Sequence, residues 1–215
     1  MKAKACIFDF DGVIMDSEKY HHVGWERIAA DIGVPFTYEE YAPMKSAGRQ
    51  VVIPYLFQKA GKALTPQLFE YYYTMRAQEV EIAMQQLSAD DIIPGVVDFL
   101  RLLKQNGIPC AVASASATAK SNAQKFGLYD LFDVFLDGND GLPHKPAPDL
   151  FLQTARLLNT PPTDCVVFED SLNGLTAAKN AEMRLIGVKT HFTTLPDKVI
   201  DDFIGADLRL LEFED

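Results

Sequence analysis

The sequence predicts an α/β fold: a parallel sheet with helices on both faces, and a helical segment inserted after the first strand. Three observations predict it. Short runs rich in Val, Ile and Phe recur along the chain, helical patterns lie between the last four of them, and residues 16 to 88 read as helical with no strand-like run. The 215 residues, 48% hydrophobic and 23% charged, suffice for one good-sized core or for a core plus a smaller second lobe, and exclude a disordered chain.

The first run, AKACIFDF at 3–10, ends in two aspartates one residue apart, Asp9 and Asp11. Successive strand side chains alternate, so the pair shares a face while Phe8 and Phe10 point the other way. Two carboxylates there repel each other and are costly unless a cation or a basic group arrives from elsewhere in the chain. The pair therefore suggests a metal site or paired acid/base chemistry. The helical segment follows. Thr65-Pro66 is a start signal, and Leu68, Phe69, Tyr72, Met75 and Leu87 supply an apolar stripe. Pro94-Gly95 opens the next helix, with Val96, Val97, Leu100 and Leu103 on one face, and Asn106-Gly107 ends it. The remaining strands are IPCAVAS (108–114), DVFLD (133–137), DCVVFED (164–170) and RLIGVK (184–189). In such sheets the ligand crevice lies beyond the carboxyl ends of the strands, where Asp9, Asp11, Ser114, Asp137, Glu169 and Asp170 all fall.

The net charge of -10 argues against a sequence-independent grip on nucleic acid or on an anionic membrane, so any anionic substrate must be met by local positive charge. Cys6, Cys110 and Cys165 sit in apolar runs with neither disulfide nor zinc spacing and read as buried hydrophobes of a reducing compartment. The chain enters directly into a strand, with no signal segment and no run approaching the roughly 20 apolar residues of a membrane helix. A cytoplasmic, monomeric protein is expected.

The strand ends carry chemistry. ASAS places the Ser114 hydroxyl and nearby N–H groups of Ala115 and Ser116 at an expected helix start, a phosphate cradle. In HKPAPD the proline after Lys145 forces extended backbone and presents the ammonium from a loop. Ser171 reads as the cap of the helix after FED. Oxygens of Asp9, Asp170 and Glu169 form a hard set that suits Mg²⁺ better than zinc. Taken singly, each has a plainer reading: strand-end aspartates cap turns, a serine caps a helix, a lysine lies on the surface. Their succession at one strand end after another favours a site.

These motifs, in this order, resemble the haloacid dehalogenase-like superfamily of phosphotransferases over nearly the whole chain. FDFDGVIMDSEKYHH, KSAGR (45–49), ASAS, HKPAPD and FEDSLNG are most similar to its beta-phosphoglucomutase and sugar-phosphate phosphatase branch. The resemblance implies a Rossmann-like core over 1–15 and 89–215 with an inserted helical cap domain over 16–88. It implies Asp9 as the nucleophile that takes the phosphoryl group, Asp11 as general acid and base, and Ser114 and Lys145 as holders of the phosphate. Mg²⁺ would be bound by Asp9, the backbone carbonyl of Asp11, Glu169 and Asp170. Substrate contacts would come from His21, Lys45, Arg49, Arg76, Ala115 and Ser116, while His22 and Trp25 read as structural.

The chemistry suits the residue types: an anionic nucleophile approaches a phosphoryl group only if a divalent cation and a lysine offset the repulsion. Mutases of the branch grip a second phosphate with a cap arginine and polar residues after Ser-Ala-Ser. Here Ala117 and Thr118 follow, and Arg76 stands where a cap lysine is expected. This departure favours a phosphatase acting on a small phosphorylated sugar or similar metabolite. A beta-phosphoglucomutase, or a non-catalytic phospho-ligand-binding protein, are the alternatives.

Overall fold

A computed structural model describes residues 2–45, 47–190 and 192–214. The chain divides into two compact units, Met1–Asp16 with Ala89–Asp215, and Ser17–Ser88.

The first unit is built on six strands, β1 (Ala5–Phe8), β2 (Cys110–Ala113), β3 (Val134–Leu136), β4 (Cys165–Glu169), β5 (Arg184–Val188) and β6 (Lys198–Ile200). They pair in parallel in the order β3-β2-β1-β4-β5-β6. A parallel sheet is covered on both faces, and every residue of β1, β2 and β4 is accordingly buried. On one face Ile7 and Val167 pack with Phe151 of the helix Asp149–Leu157 and Leu175 of the helix Leu172–Asn180. On the other, Phe8 stacks on its register partner Phe168 at 4.5 Å, and Phe99 of the helix Val96–Gln105 meets Phe168 at 5.8 Å and Phe203 at 5.6 Å. Such ring pairs contribute about 0.5–1.5 kcal/mol each beyond area burial, so Phe99 anchors its helix.

Three details differ from the sequence reading. In the helix Val96–Gln105 the buried stripe is Val96, Phe99, Leu100 and Leu103; Val97 is only half-buried, because the 3.6-residue period carries it off the stripe. Leu68 is 38% exposed, since it lies in the first turn of its helix, outside the apolar cluster. The sheet gains β6, a short edge strand beside β5 whose Val199 is exposed, too brief to register as an apolar run.

The second unit is helical. Its elements are α1 (Glu18–Ile32), α2 (Tyr38–Tyr41), α3 (Arg49–Lys59) and α4 (Pro66–Met84). Trp25, Ile28, Val52, Ile53, Leu56 and Tyr72 form its core. Thr65 caps α4 by accepting from the Leu68 N–H at 3.2 Å, with Pro66 in the first turn. Gly24 lets α1 approach α4, for an added Cβ would lie 3.1 Å from the Arg76 carbonyl oxygen. Among the described residues no helix is long and apolar enough to cross a membrane.

Candidate active site

The strand order brings the ends of β3, β2, β1 and β4 side by side, so the residues that follow them meet at one edge of the sheet. β1 stops at Phe8, and Asp9 and Asp11 stand on the loop beyond it; the Asp9 N–H donates to the Phe168 carbonyl at 2.9 Å. The loop turns at Gly12, whose φ is +84° and whose added Cβ would lie 2.5 Å from Asp170 Oδ2. Glycine there permits both the left-handed backbone and the close approach of Asp170.

Lys145 is the centre of the geometry. Its ammonium lies 2.7 Å from Asp9 Oδ1 and 2.8 Å from Glu169 Oε2, with the Phe151 ring 4.8 Å away, and the residue is 3% exposed. Burial alone would lower the lysine pKa, but the Asp9 and Glu169 carboxylates outweigh it and hold the ammonium charged. Burial likewise pushes Glu169 up, yet Lys145 and Ser171 bring it below the usual carboxylate range. Asp9 is raised well above that range, first by burial and then by the Glu169 charge, which Lys145 only partly offsets.

Carboxylate oxygens of Asp9, Glu169 and Asp170, all buried, lie within 4.8 Å of one another, and this group could hold a metal ion. Lys145 bonds Asp9 and Glu169, and three buried carboxylates this close repel one another, a repulsion that a divalent cation would relieve. Both oxygens of Glu169 are hydrogen-bonded. Its Oε2 binds Lys145, and its Oε1 accepts from the Ser171 hydroxyl at 2.8 Å, the Ser171 N–H at 3.0 Å and the Asp170 N–H at 3.1 Å. Ser171 also caps the helix Leu172–Asn180 by accepting from the Gly174 N–H at 3.1 Å. The sequence reading saw only this capping; a serine two residues after Glu169 was the available signal for its second bond. Gly174 is demanded by the same contact, because a Cβ there would lie 2.0 Å from Glu169 Cδ.

Ser114 follows β2 and is buried, but it does not stand at a helix start: residues 115–118 form a loop before the helix Ala119–Lys125. The Ser114 Oγ accepts from the Ser116 N–H at 3.1 Å, which holds the loop in a tight turn. A cavity of about 20 Å³ is lined by Ser114, Ala115, Asp137, Gly138, His144 and Lys145 among others. Thus Asp9, Ser114, Ala115, Lys145, Glu169 and Asp170 belong to one edge of the first unit, while Asp11 adds no carboxylate to the acidic group.

His21, Lys45, Arg49 and Arg76 lie in the helical unit, where the three cations make internal contacts. Arg49 lies 3.6 Å over the Tyr73 ring and donates to the Tyr73 carbonyl at 3.2 Å. Arg76 lies 4.3 Å over Trp25 and donates to the His21 carbonyl at 3.3 Å. Lys45 is 3.4 Å from Glu18, a partner the sequence reading passed over. Trp25 is buried, and His22 packs among Phe36, Tyr38 and Tyr41.

The chain matches the haloacid dehalogenase-like hydrolase family over residues 3–182. It is 31% identical to the beta-phosphoglucomutase of Bacillus subtilis over 187 residues, 86% of this chain and 83% of that protein. It is 29% identical to the phosphorylated carbohydrates phosphatase of Thermotoga maritima over 86% of this chain and 85% of that protein. The crystal structure of a beta-phosphoglucomutase from Clostridium difficile is similar with a TM-score of 0.86 and 26% identity, covering 97% of this chain and 95% of the other. With a buried Asp9–Lys145–Glu169 centre at the strand ends and a family match spanning most of its length, the chain belongs to the haloacid dehalogenase-like hydrolases.

Proposed function

We propose that this hydrolase is a Mg²⁺-dependent phosphatase of small phosphorylated sugars or similar metabolites, working through an aspartyl phosphate on Asp9. The observation that carries the chemistry is the Lys145 ammonium, bonded at once to Asp9 and Glu169 inside a buried acidic group. Lys145 fixes one oxygen of Asp9 and leaves the other for phosphorus. As that oxygen bonds to phosphorus, the bond to the leaving oxygen breaks, and Asp11 delivers its proton to the departing alcohol. Water then gives a proton to Asp11 and attacks the aspartyl phosphate, releasing inorganic phosphate and restoring Asp9. The Ser114 hydroxyl and the Ala115 N–H orient the phosphate, while Ser116, called a substrate contact from the sequence, gives its N–H to the Ser114 Oγ and shapes the turn. Mg²⁺, held by Asp9, Asp170 and the Asp11 carbonyl with the Glu169 charge behind them, would neutralise the oxygens of the transferring group. The free, buried cysteines suit a reducing compartment such as the cytoplasm.

Phosphatase is favoured over mutase by the helical unit. A mutase needs cations to grip a second phosphate, whereas here Arg49 is stacked on Tyr73, Arg76 on Trp25, and Lys45 is neutralised by Glu18. The similarity to beta-phosphoglucomutases and the presence of His21 and Arg49 keep the mutase as the second reading. The test is a panel of sugar monophosphates, including beta-glucose 1-phosphate with a trace of its bisphosphate, assayed with and without Mg²⁺. Metal-dependent release of inorganic phosphate is expected, with Asp170→Ala demanding more Mg²⁺. Isomerisation without phosphate release would replace this reading by the mutase. A total lack of turnover, p-nitrophenyl phosphate included, would point to a binding protein.

A further inference from the structure

Beyond the residues given a chemical role, the turn after β3 is wired to the loop that follows β2. Asp137 is buried, and its Oδ1 accepts from the Asn139 N–H at 2.9 Å and from the Asn139 side-chain amide at 3.0 Å. That same amide donates to the Ala117 carbonyl at 2.8 Å, and the Gly138 N–H donates to the Ser116 carbonyl at 3.2 Å. Gly138 presses on the loop so closely that an added Cβ would lie 2.6 Å from the Ala115 carbonyl oxygen and 2.9 Å from the Ala117 nitrogen. The turn thus anchors two successive carbonyls of the loop and packs on a third.

The peptide unit is planar, so hydrogen bonds from Gly138 and Asn139 to the carbonyls of Ser116 and Ala117 fix the orientation of the two peptide planes that carry them. A loop left free would have to order its backbone each time it met an anion, at the expense of affinity. We infer that Asp137, Gly138 and Asn139 are positioning residues that preorganise the Ser114–Ala117 loop for phosphate. The inference rests on the proposed reading of that loop as the phosphate holder. Asn139 and Gly138 are exposed, so their substitution leaves the buried core intact.

The experiment measures, in the Mg²⁺-loaded enzyme, the inhibition constant of inorganic phosphate together with KM and kcat for p-nitrophenyl phosphate. Asn139→Ala, which removes hydrogen bonds to Asp137 and Ala117, and Gly138→Ala, which pushes on the loop, should each raise the inhibition constant and KM about three- to tenfold, with kcat within about twofold of wild type and the Mg²⁺ dependence unchanged. Asp137→Asn keeps an acceptor oxygen and should bind phosphate as the wild type does. An unchanged inhibition constant in Asn139→Ala, or tighter phosphate binding in Asp137→Asn, would overturn the inference, the latter because Asp137 would then act through its charge. Ser114→Ala separates the two readings. If it weakens phosphate while Asn139→Ala does not, only the positioning role fails; if Ser114→Ala changes nothing, the loop does not hold phosphate and both readings fall.

Discussion

Replacing Lys145 by methionine keeps the length of the side chain and removes its charge. The ammonium is the shared partner of Asp9 at 2.7 Å and Glu169 at 2.8 Å, and it is almost wholly buried. Removing one partner of a buried ion pair costs about 3–5 kcal/mol, because the other charge is left uncompensated. For a chain of this size each kcal/mol lowers the melting temperature by about 2–4 °C, so the metal-free protein should lose about 6–20 °C. The loss should depend on pH with a definite sign. In the wild type Glu169 lies below the usual range, which contributes stability above its unfolded pKa and withdraws it as pH falls through the folded value. In Lys145→Met burial pushes Glu169 above its unfolded value and Asp9, already raised in the wild type, higher still, which adds a penalty to folding at high pH that is relieved as they take up protons. The gap between variant and wild type is therefore widest near about pH 8 and narrows toward about pH 5. The assay is thermal unfolding in EDTA across that range, repeated with Mg²⁺, which should narrow the gap. A variant as stable as the wild type in EDTA at high pH, or a gap that grows on acidification, would refute the electrostatic account of this centre.

Asp9→Asn should reduce turnover to background with the fold intact, since the amide keeps the shape and loses the nucleophilic oxygen; appreciable residual phosphate release would remove Asp9 from that role. Arg49→Ala should cost about 0.5–1 kcal/mol of stability from the lost stacking on Tyr73, raise KM modestly and leave kcat nearly unchanged on a monophosphate. A large fall in kcat/KM there would show that Arg49 serves the reaction. Burial pushes the thiols of Cys110 and Cys165 up to about 12 and that of Cys6 well above its ordinary value, which disfavours the reactive thiolate at all three. At about pH 8 the native protein should therefore resist a thiol-specific disulfide reagent and react fully once unfolded; rapid reaction of the folded chain would contradict the burial.

What the sequence by itself determined is local or periodic. The runs at 3–10, 108–114 and 164–170 read as strands of a parallel sheet, and strands lie within them at 5–8, 110–113 and 165–169; Thr65-Pro66 and Ser171 read as helix starts, and Asp9, Ser114 and Glu169 as residues at strand ends. Such features depend on neighbours within a few residues, which is where propensity and alternation act. Tertiary structure decided the pairings. Lys145 stands 136 positions from Asp9, and nothing near it in the chain says that its ammonium is buried against that carboxylate. Arg49 and Arg76 read from the sequence as substrate contacts, and only the fold sets one over Tyr73 of α4 and the other over Trp25 of α1. The tie from Asn139 to Ala117 joins loops 22 residues apart, and β6 is a strand only because β5 offers its edge. A side chain's charge is written in the sequence, but whether water, an aromatic face or an opposite charge meets it depends on which distant segments the sheet order brings alongside.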